Sequence, residues 1–369
     1  MQICDCNYYE FEKIKNKKII IFGIGAYFNY YVSESFPNSL VKNVAYFVDN
    51  NPSDSTIQIW GRVFSIYNPE ILKSENNCIV ILASTNHINS MYNQLNKMHL
   101  NSSITCYVYP FILINTIGNS EKSRIKSYFS NYKMPKIPKR IHCFWFSGDP
   151  KPEEYQKCKN SWKKYCPDYN IYEWNMDNYD YKKNNFMKKA IDSKKWAFAS
   201  DFARLDILYK CGGIYLDMDV EIIKPLDDLL NSNAFFTFDT NMDIDLGTFA
   251  SQPENTLVKD LMKIYENINF SSDLNIMNWF CQPRYIRPVL KKYGVKLDGT
   301  LQIINNMIFF PRSYLAPKDS IIYELNALSQ NTYAIHHYNA GWKSNNYRSM
   351  RIQNNRIIWN IFKNTENIF

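Results

Sequence analysis

Apolar residues in the first third of the chain fall into short β-branched runs separated by stretches of helical period. KKIIIF, ending at Phe22, reads as a buried strand, and GIGAYFNYYVSESF after it as a turn and helix. VAYFVDNNP predicts a second strand ending at Asp49, NNCIVILAST a third, HINSMYNQLNKM a helix and ITCYVYP a last strand. Strands alternating with helices imply a parallel sheet covered on both faces, a Rossmann-like module over residues 1–116. Residues 117–136, rich in Ser, Asn and alternating charge, read as a linker. A second α/β region over 137–369 opens on the strand IPKRIHCFWF. A helix ending near SWKKYC, the strand NIYEW, a Lys-rich helical stretch from Tyr181 to Lys195, the helix AFASDFARLDILYK and the strand IYLDMDVE follow. From about Asp239 the periodicity weakens.

Composition narrows the class. With 46% hydrophobic and 21% charged residues the chain is globular rather than disordered. A formal charge of +8 favours anionic partners such as nucleotides or a membrane surface, without requiring nucleic acid. The nine cysteines include no CxxC pair, which fits free thiols in a reducing cytosol, Cys4 and Cys6 among them. The N-terminus lacks a secretory pattern, and Ile19 to Val32 is too short and too interrupted to span a bilayer. A cytoplasmic protein, soluble or peripheral, is expected. Lysine pairs at 163–164, 182–183, 188–189 and 194–195 read as a solvated face, or alternatively as a dock for an anionic membrane.

Two patterns carry candidate chemistry. Gly23-Ile-Gly25 after a strand, with Asp49 on the next, resembles a dinucleotide fingerprint, but the third glycine position is Phe28. A structural turn is therefore favoured over cofactor binding there. The second pattern is Ser200-Asp201-x-x-Arg204, then Gly212-Gly213-x-Tyr215-x-Asp217-x-Asp219. Helical spacing places Asp201 and Arg204 on one face. Period-two alternation along IYLDMDV would put Asp217 and Asp219 on one side of a strand. Two carboxylates so close repel unless a cation lies between them or one keeps a proton. Oxygen ligands suit Mn²⁺ or Mg²⁺. A metal, an arginine and an acid together match the departure of a diphosphate from a sugar.

Over residues 137–345 the chain resembles glycosyltransferase family 32, the DXD sugar-transferase group, and more distantly the glucosylating domains of large clostridial toxins. The resemblance rests on IPKRIHCFWFSGDPKP, CKNSWKKYCPDY, WAFASDFARLDILYKCGGIYLDMDVEIIKPLDDLL and IHHYNAGW. It implies a GT-A fold, a nucleotide-sugar donor (a UDP-hexose above all) and retention of configuration. The acceptor would be a glycan or lipid-linked saccharide of a bacterial surface or capsular polysaccharide. Carried over by position, Trp145 would stack on the base, and Ser200, Asp201, Arg204 and Tyr215 would contact the donor. Asp217 and Asp219 would hold metal and diphosphate, and Trp342 and Lys343 the phosphates. Of His336 and His337, strand alternation lets one face the site, and His337 is the choice, with Asn339 on its face. Asp243, Asp245, Asn275 and Gln282 are polar candidates for the sugar and acceptor region. Two rival readings stay open: an NAD-dependent sugar-modifying oxidoreductase using the N-terminal glycines, and a nucleotide-sugar-binding protein without turnover.

Overall fold

A computed structural model describes residues 1–117, 135–268, 270, 282–339 and 345–364. The chain forms two compact units, the first comprising Met1–Thr116, Ser320–Glu324 and Lys343–Phe369, the second Ile117–Asp319 and Leu325–Trp342.

The first unit holds one sheet of β1 (Gln2–Ile3), β2 (Lys18–Phe22), β3 (Val44–Val48), β4 (Thr56–Ile59), β5 (Arg62–Tyr67), β6 (Cys78–Leu82) and β7 (Thr105–Val108). Their order is β1-β7-β6-β2-β3-β5-β4. Every pairing is parallel except that of β4 with β5. Strands covered on both faces read as unbroken apolar runs, as β6 does. Helix α1 (Ile88–Lys97) buries Ile88, Met91, Tyr92 and Leu95 along one stripe, and the short α2 (Tyr109–Asn115) follows β7. After Gly25 the chain makes a π-helical segment, Phe28–Val32, instead of a regular helix. The periodicity did not announce the β4–β5 hairpin, whose turn residues Trp60 and Gly61 both take positive φ, at 51° and 71°.

One domain boundary differs from the sequence reading. The helix Asn345–Asn364, expected to belong with 137–369, packs Ile358, Trp359 and Phe362 into the first unit's core. Phe111 of α2 meets Trp359 edge-on at 5.1 Å, and Asn355 Nδ2 donates to the Thr85 carbonyl at 3.0 Å. An amphipathic stripe declares that it will be buried but not against which sheet.

The second unit is built on β8 (Arg140–Phe144), β9 (Asn170–Trp174), β10 (Gly213–Leu216), β11 (Val220–Ile222), β12 (Ala234–Phe238), β13 (Ile244–Ser251), β14 (Gln302–Ile304), β15 (Met307–Phe310) and β16 (Ala334–His336). Seven form a mixed sheet in the order β14-β15-β12-β13-β10-β8-β9, while β11 and β16 pair antiparallel by themselves. Helices α3 (Glu153–Tyr165), α4 (Asn185–Asp192), α5 (Trp196–Cys211), α6 (Thr256–Asn267) and α7 (Gln282–Lys292) accompany it. Helix α5 ends at Gly212, with φ 61°, and Gly213 follows at 111°. A Cβ on Gly213 would lie 2.7 Å from the Arg140 carbonyl, so only glycine lets α5 run straight into a central strand. Lys182, Lys188, Lys189 and Lys194 are exposed around α4, whereas Lys183 pairs with the buried Asp206. Among the described residues no helix is long and apolar enough to cross a membrane.

Candidate active site at the β10–β11 turn

Strand β10 stops at Leu216, so Asp217 and Asp219 do not share a strand face. Instead Asp217-Met218-Asp219-Val220 forms a turn closed by Val220 N–H donating to the Asp217 carbonyl at 3.0 Å. The turn carries the chain from the main sheet to β11 and brings both carboxylates to one place. The backbone N–H of Asp217 is anchored to the Gly247 carbonyl on β13, at 2.8 Å. Side-chain exposure is 28% for Asp217 and 11% for Asp219, so the acids are sheltered yet reachable.

The histidine at this turn is His336, not His337. Its Nε2 lies 3.4 Å from Asp219 Oδ1 and 3.8 Å from Asp217 Oδ2. The three side chains offer ligand atoms all within 4.8 Å of one another. His337 pairs with the half-exposed Glu221 at 3.0 Å, on the other side of β16. Alternation was the correct rule, but its parity is set by the β11–β16 register, which opposes His336 to Val220 just past Asp219. That long-range pairing has no local signature. Asn339 contributes through its backbone, whose N–H donates to Asp219 Oδ2 at 2.7 Å.

Asp245 and Gly247 complete the arrangement. Asp245 Oδ2 lies 2.7 Å from His336 Nδ1 and accepts from the Tyr338 hydroxyl at 3.1 Å, and Oδ1 accepts from Gly247 N–H at 2.7 Å. A carboxylate only accepts, so Nδ1 carries a proton and donates it to Asp245, which fixes the ring with Nε2 facing the acids. A Cβ at Gly247 would sit 2.4 Å from His336 Cε1 and 2.8 Å from Asp217 Oδ2. The imidazole occupies the space that any side chain there would need. The electrostatics follow from crowding. Burial opposes charge on His336, yet Asp245 and Asp219 outweigh it and hold the imidazole protonated well above its usual range. Burial likewise works against Asp219, but His336 and the Asn339 N–H bring its carboxyl down to about 2. Asp217 is raised, chiefly by burial, with Arg204 opposing. A proton on Nε2 thus neutralises the acids where a divalent cation would do so. Two carboxylates and an oriented imidazole are a fitting donor set for Mn²⁺ or Mg²⁺.

Arg204 is almost wholly buried and its hydrogens are largely engaged. It donates to the Ser200 carbonyl at 3.0 Å, the Leu246 carbonyl at 2.8 Å and Ser200 Oγ at 2.9 Å. Nη2 also lies 3.1 Å from Asp201 Oδ1 and 3.7 Å from Asp217 Oδ1. Ser200, expected at the donor, therefore braces Arg204. Tyr215, also expected at the donor, is 1% exposed and belongs to the hydrophobic core of the second unit. Its hydroxyl donates to Asp217 Oδ1 at 2.5 Å, and its ring lies 4.8 Å beneath the Arg204 guanidinium. It holds Asp217 from below.

Trp145 is half-buried, with its indole N–H donating to the Asp149 carbonyl at 2.7 Å and its ring edge-on to Tyr155 at 5.2 Å. Tyr155 itself was not among the sequence candidates. Burial, and then Asp219 and Asp217, push its phenol up to about 12. Asp243 forms a buried two-point ion pair with Arg287, at 2.6 and 2.5 Å. Trp342, Lys343 and Asn275 lie outside the described residues, as does the side chain of Gln282. The eight cysteines among the described residues are free thiols.

Residues 152–236 match the glycosyltransferase sugar-binding region containing the DXD motif. That stretch spans Trp162 to the turn just described, including Ser200, Arg204, Asp217 and Asp219. An uncharacterized glycosyltransferase of Acanthamoeba polyphaga mimivirus is 36% identical over 107 residues, 27% of this chain and 43% of that protein. Inositol phosphoceramide mannosyltransferase 1 of Schizosaccharomyces pombe is 31% identical over 114 residues, 28% of this chain and 34% of that protein. The match thus spans less than half the length of either relative. Among solved structures, the PaToxG glycosyltransferase aligns with a TM-score of 0.36 at 18% identity, over 46% of this chain and 74% of its own.

Proposed function

We propose that the second unit is a divalent-metal-dependent, retaining hexosyltransferase of GT-A type. Its donor is a nucleotide-sugar, UDP-linked, and its acceptor a glycan or lipid-linked saccharide in bacterial polysaccharide synthesis. The observation that carries this reading is the convergence of Asp217, Asp219 and His336 inside a stretch that matches a DXD sugar-binding region. Asp217, Asp219 and His336 would hold Mn²⁺ or Mg²⁺, which supplies positive charge for the leaving diphosphate. Asp245 keeps the proton on Nδ1 of His336 and so presents Nε2. Arg204, tied to Asp201 and Asp217, positions both acids rather than offering a free hand to phosphate. Trp145 and Tyr155 form an aromatic wall suited to a base. Trp342 and Lys343 remain proposed phosphate contacts. The exposed lysines around α4 support peripheral contact with an anionic membrane from the cytoplasmic side.

The test is Mn²⁺-dependent release of nucleoside diphosphate from a panel of UDP-hexoses and GDP-mannose. Release with at least one donor, abolished by chelator, is expected. No release and no binding across the panel would overturn the reading.

A further inference from the structure

The segment that closes the site from the β12–β13 side carries three carboxylates, and their partners differ. Asp243 is matched by Arg287, and Asp245 by His336, Tyr338 and Gly247 N–H. Asp239, just beyond the end of β12, uses only one oxygen. Its Oδ1 accepts from the backbone N–H groups of Asn241 at 2.7 Å and Asp243 at 3.0 Å, which shapes the turn into β13. Its Oδ2 has no hydrogen-bond partner among the described residues and no cation within ion-pair distance there, although the buried Arg312 attracts it electrostatically.

The placement of that oxygen is not incidental. Strands β12 and β13 run antiparallel with Thr237 opposite Asp245, so continued alternation from Thr237 carries Asp239 to the face of Asp245. Asp245 in turn holds the imidazole of the acid cluster. Asp239 is partly exposed and not sealed in a core. A sheltered carboxyl with one oxygen unmet is costly unless something else meets it. Burial, then Asp243 and Asp245, push this carboxyl up to about 8. Hydrogen bonds donated to the ionised form would reverse that push.

We infer that Asp239 is a specificity-determining residue whose Oδ2 accepts a hydrogen bond from a hydroxyl of the transferred sugar. Sugar hydroxyls are the donors this oxygen lacks, and a donor whose diphosphate lies at Asp217 and Asp219 carries its sugar beside them. The inference rests on the transferase reading and deepens it.

The test compares two affinities by calorimetry in Mn²⁺, for the nucleoside diphosphate alone and for the panel nucleotide-sugar that wild type binds best. Asp239→Asn keeps an oxygen for the turn's two N–H groups and replaces the acceptor at Oδ2 by an amide donor. We expect diphosphate affinity within twofold of wild type and nucleotide-sugar affinity lowered about tenfold or more, as for loss of a hydrogen bond to a charged group. A donor analogue deoxygenated at the contacted hydroxyl should bind wild type and variant alike. An unchanged sugar-to-diphosphate affinity ratio overturns the inference while leaving the transferase reading intact. Parallel loss of both affinities, with a lowered melting temperature, overturns it in favour of a purely structural turn. Failure of wild type to bind any nucleoside diphosphate sinks the transferase reading itself, and this inference with it.

Discussion

Each unit of this protein has a strand, a pair of glycines and a nearby acid, and the two arrangements end differently. In the first unit Asp49 Oδ2 accepts from Ile24 N–H at 2.9 Å, and Oδ1 from Asn51 N–H at 3.0 Å. The carboxylate that a dinucleotide would use for its ribose thus ties down the Gly23–Gly25 turn. Phe28 fills the third glycine position and packs edge-on to Phe47 at 5.2 Å. In the second unit the glycines only turn the chain, and Asp217 and Asp219 meet another carboxylate and a histidine. An acid matched by backbone N–H groups is satisfied by its own fold. Acids matched by each other need a cation, whether a proton on His336 or a metal ion. The contrast favours placing ligand chemistry in the second arrangement and architecture in the first.

The sharpest way to break that contrast is to remove one acid from the second site. Asp219→Asn keeps size and leaves an oxygen for Asn339 N–H, so the β10–β11 turn should survive. Metal-dependent release of nucleoside diphosphate should fall by about a thousand-fold, the scale of lost charge stabilisation at a leaving group. Circular dichroism should be unchanged. Retention of most of the activity would mean that the acids hold no metal in the reaction.

A gentler probe adds one carbon without replacing any titratable group. Gly247→Ala would place a Cβ 2.4 Å from His336 Cε1, so the imidazole must move. Because His336 is also fixed by Asp245, that shift should misalign Nε2 from the acids. Mn²⁺ affinity should drop about 10–100-fold, the range for disturbing a ligand's supporting contacts. Electron paramagnetic resonance of Mn²⁺ titrations reads this directly. Affinity equal to wild type would show that His336 does not contribute to the cation site.

These two residues also mark where sequence reasoning stopped. The helix–Gly-Gly–strand unit and the pairing of Asp201 with Arg204 depend on neighbours within four positions, and spacing conveys them. The acids' meeting was expected from strand alternation, yet a turn accomplishes it, because β10 ends at Leu216, before either acid. His336 over His337, and the space at Gly247, depend on β11 pairing with β16 across more than a hundred residues. Tyr215 shows another limit: spacing put it on the acids' side, but only the fold shows that this side of β10 lies in the core.

The smallest expected effect tests the other half of the comparison. Asp49→Ala removes the acceptor for Ile24 N–H, which is partly buried, and for the more exposed Asn51 N–H. Loss of the turn's hydrogen bonds should cost about 1 kcal/mol, because water compensates the exposed group and only in part the other. For a unit of this size that is a fall of about 2–8 °C in the first unit's melting transition. Nucleoside diphosphate release should stay within twofold of wild type, since the change leaves Asp217, Asp219 and His336 untouched. A tenfold loss of activity in a variant that remains folded would place the glycine turn inside the reaction. Saturable NADH binding that disappears with Asp49 would go further and revive a cofactor role for the first unit. Unchanged turnover with a modestly lowered melting temperature is the outcome that the hydrogen bonds at Asp49 predict.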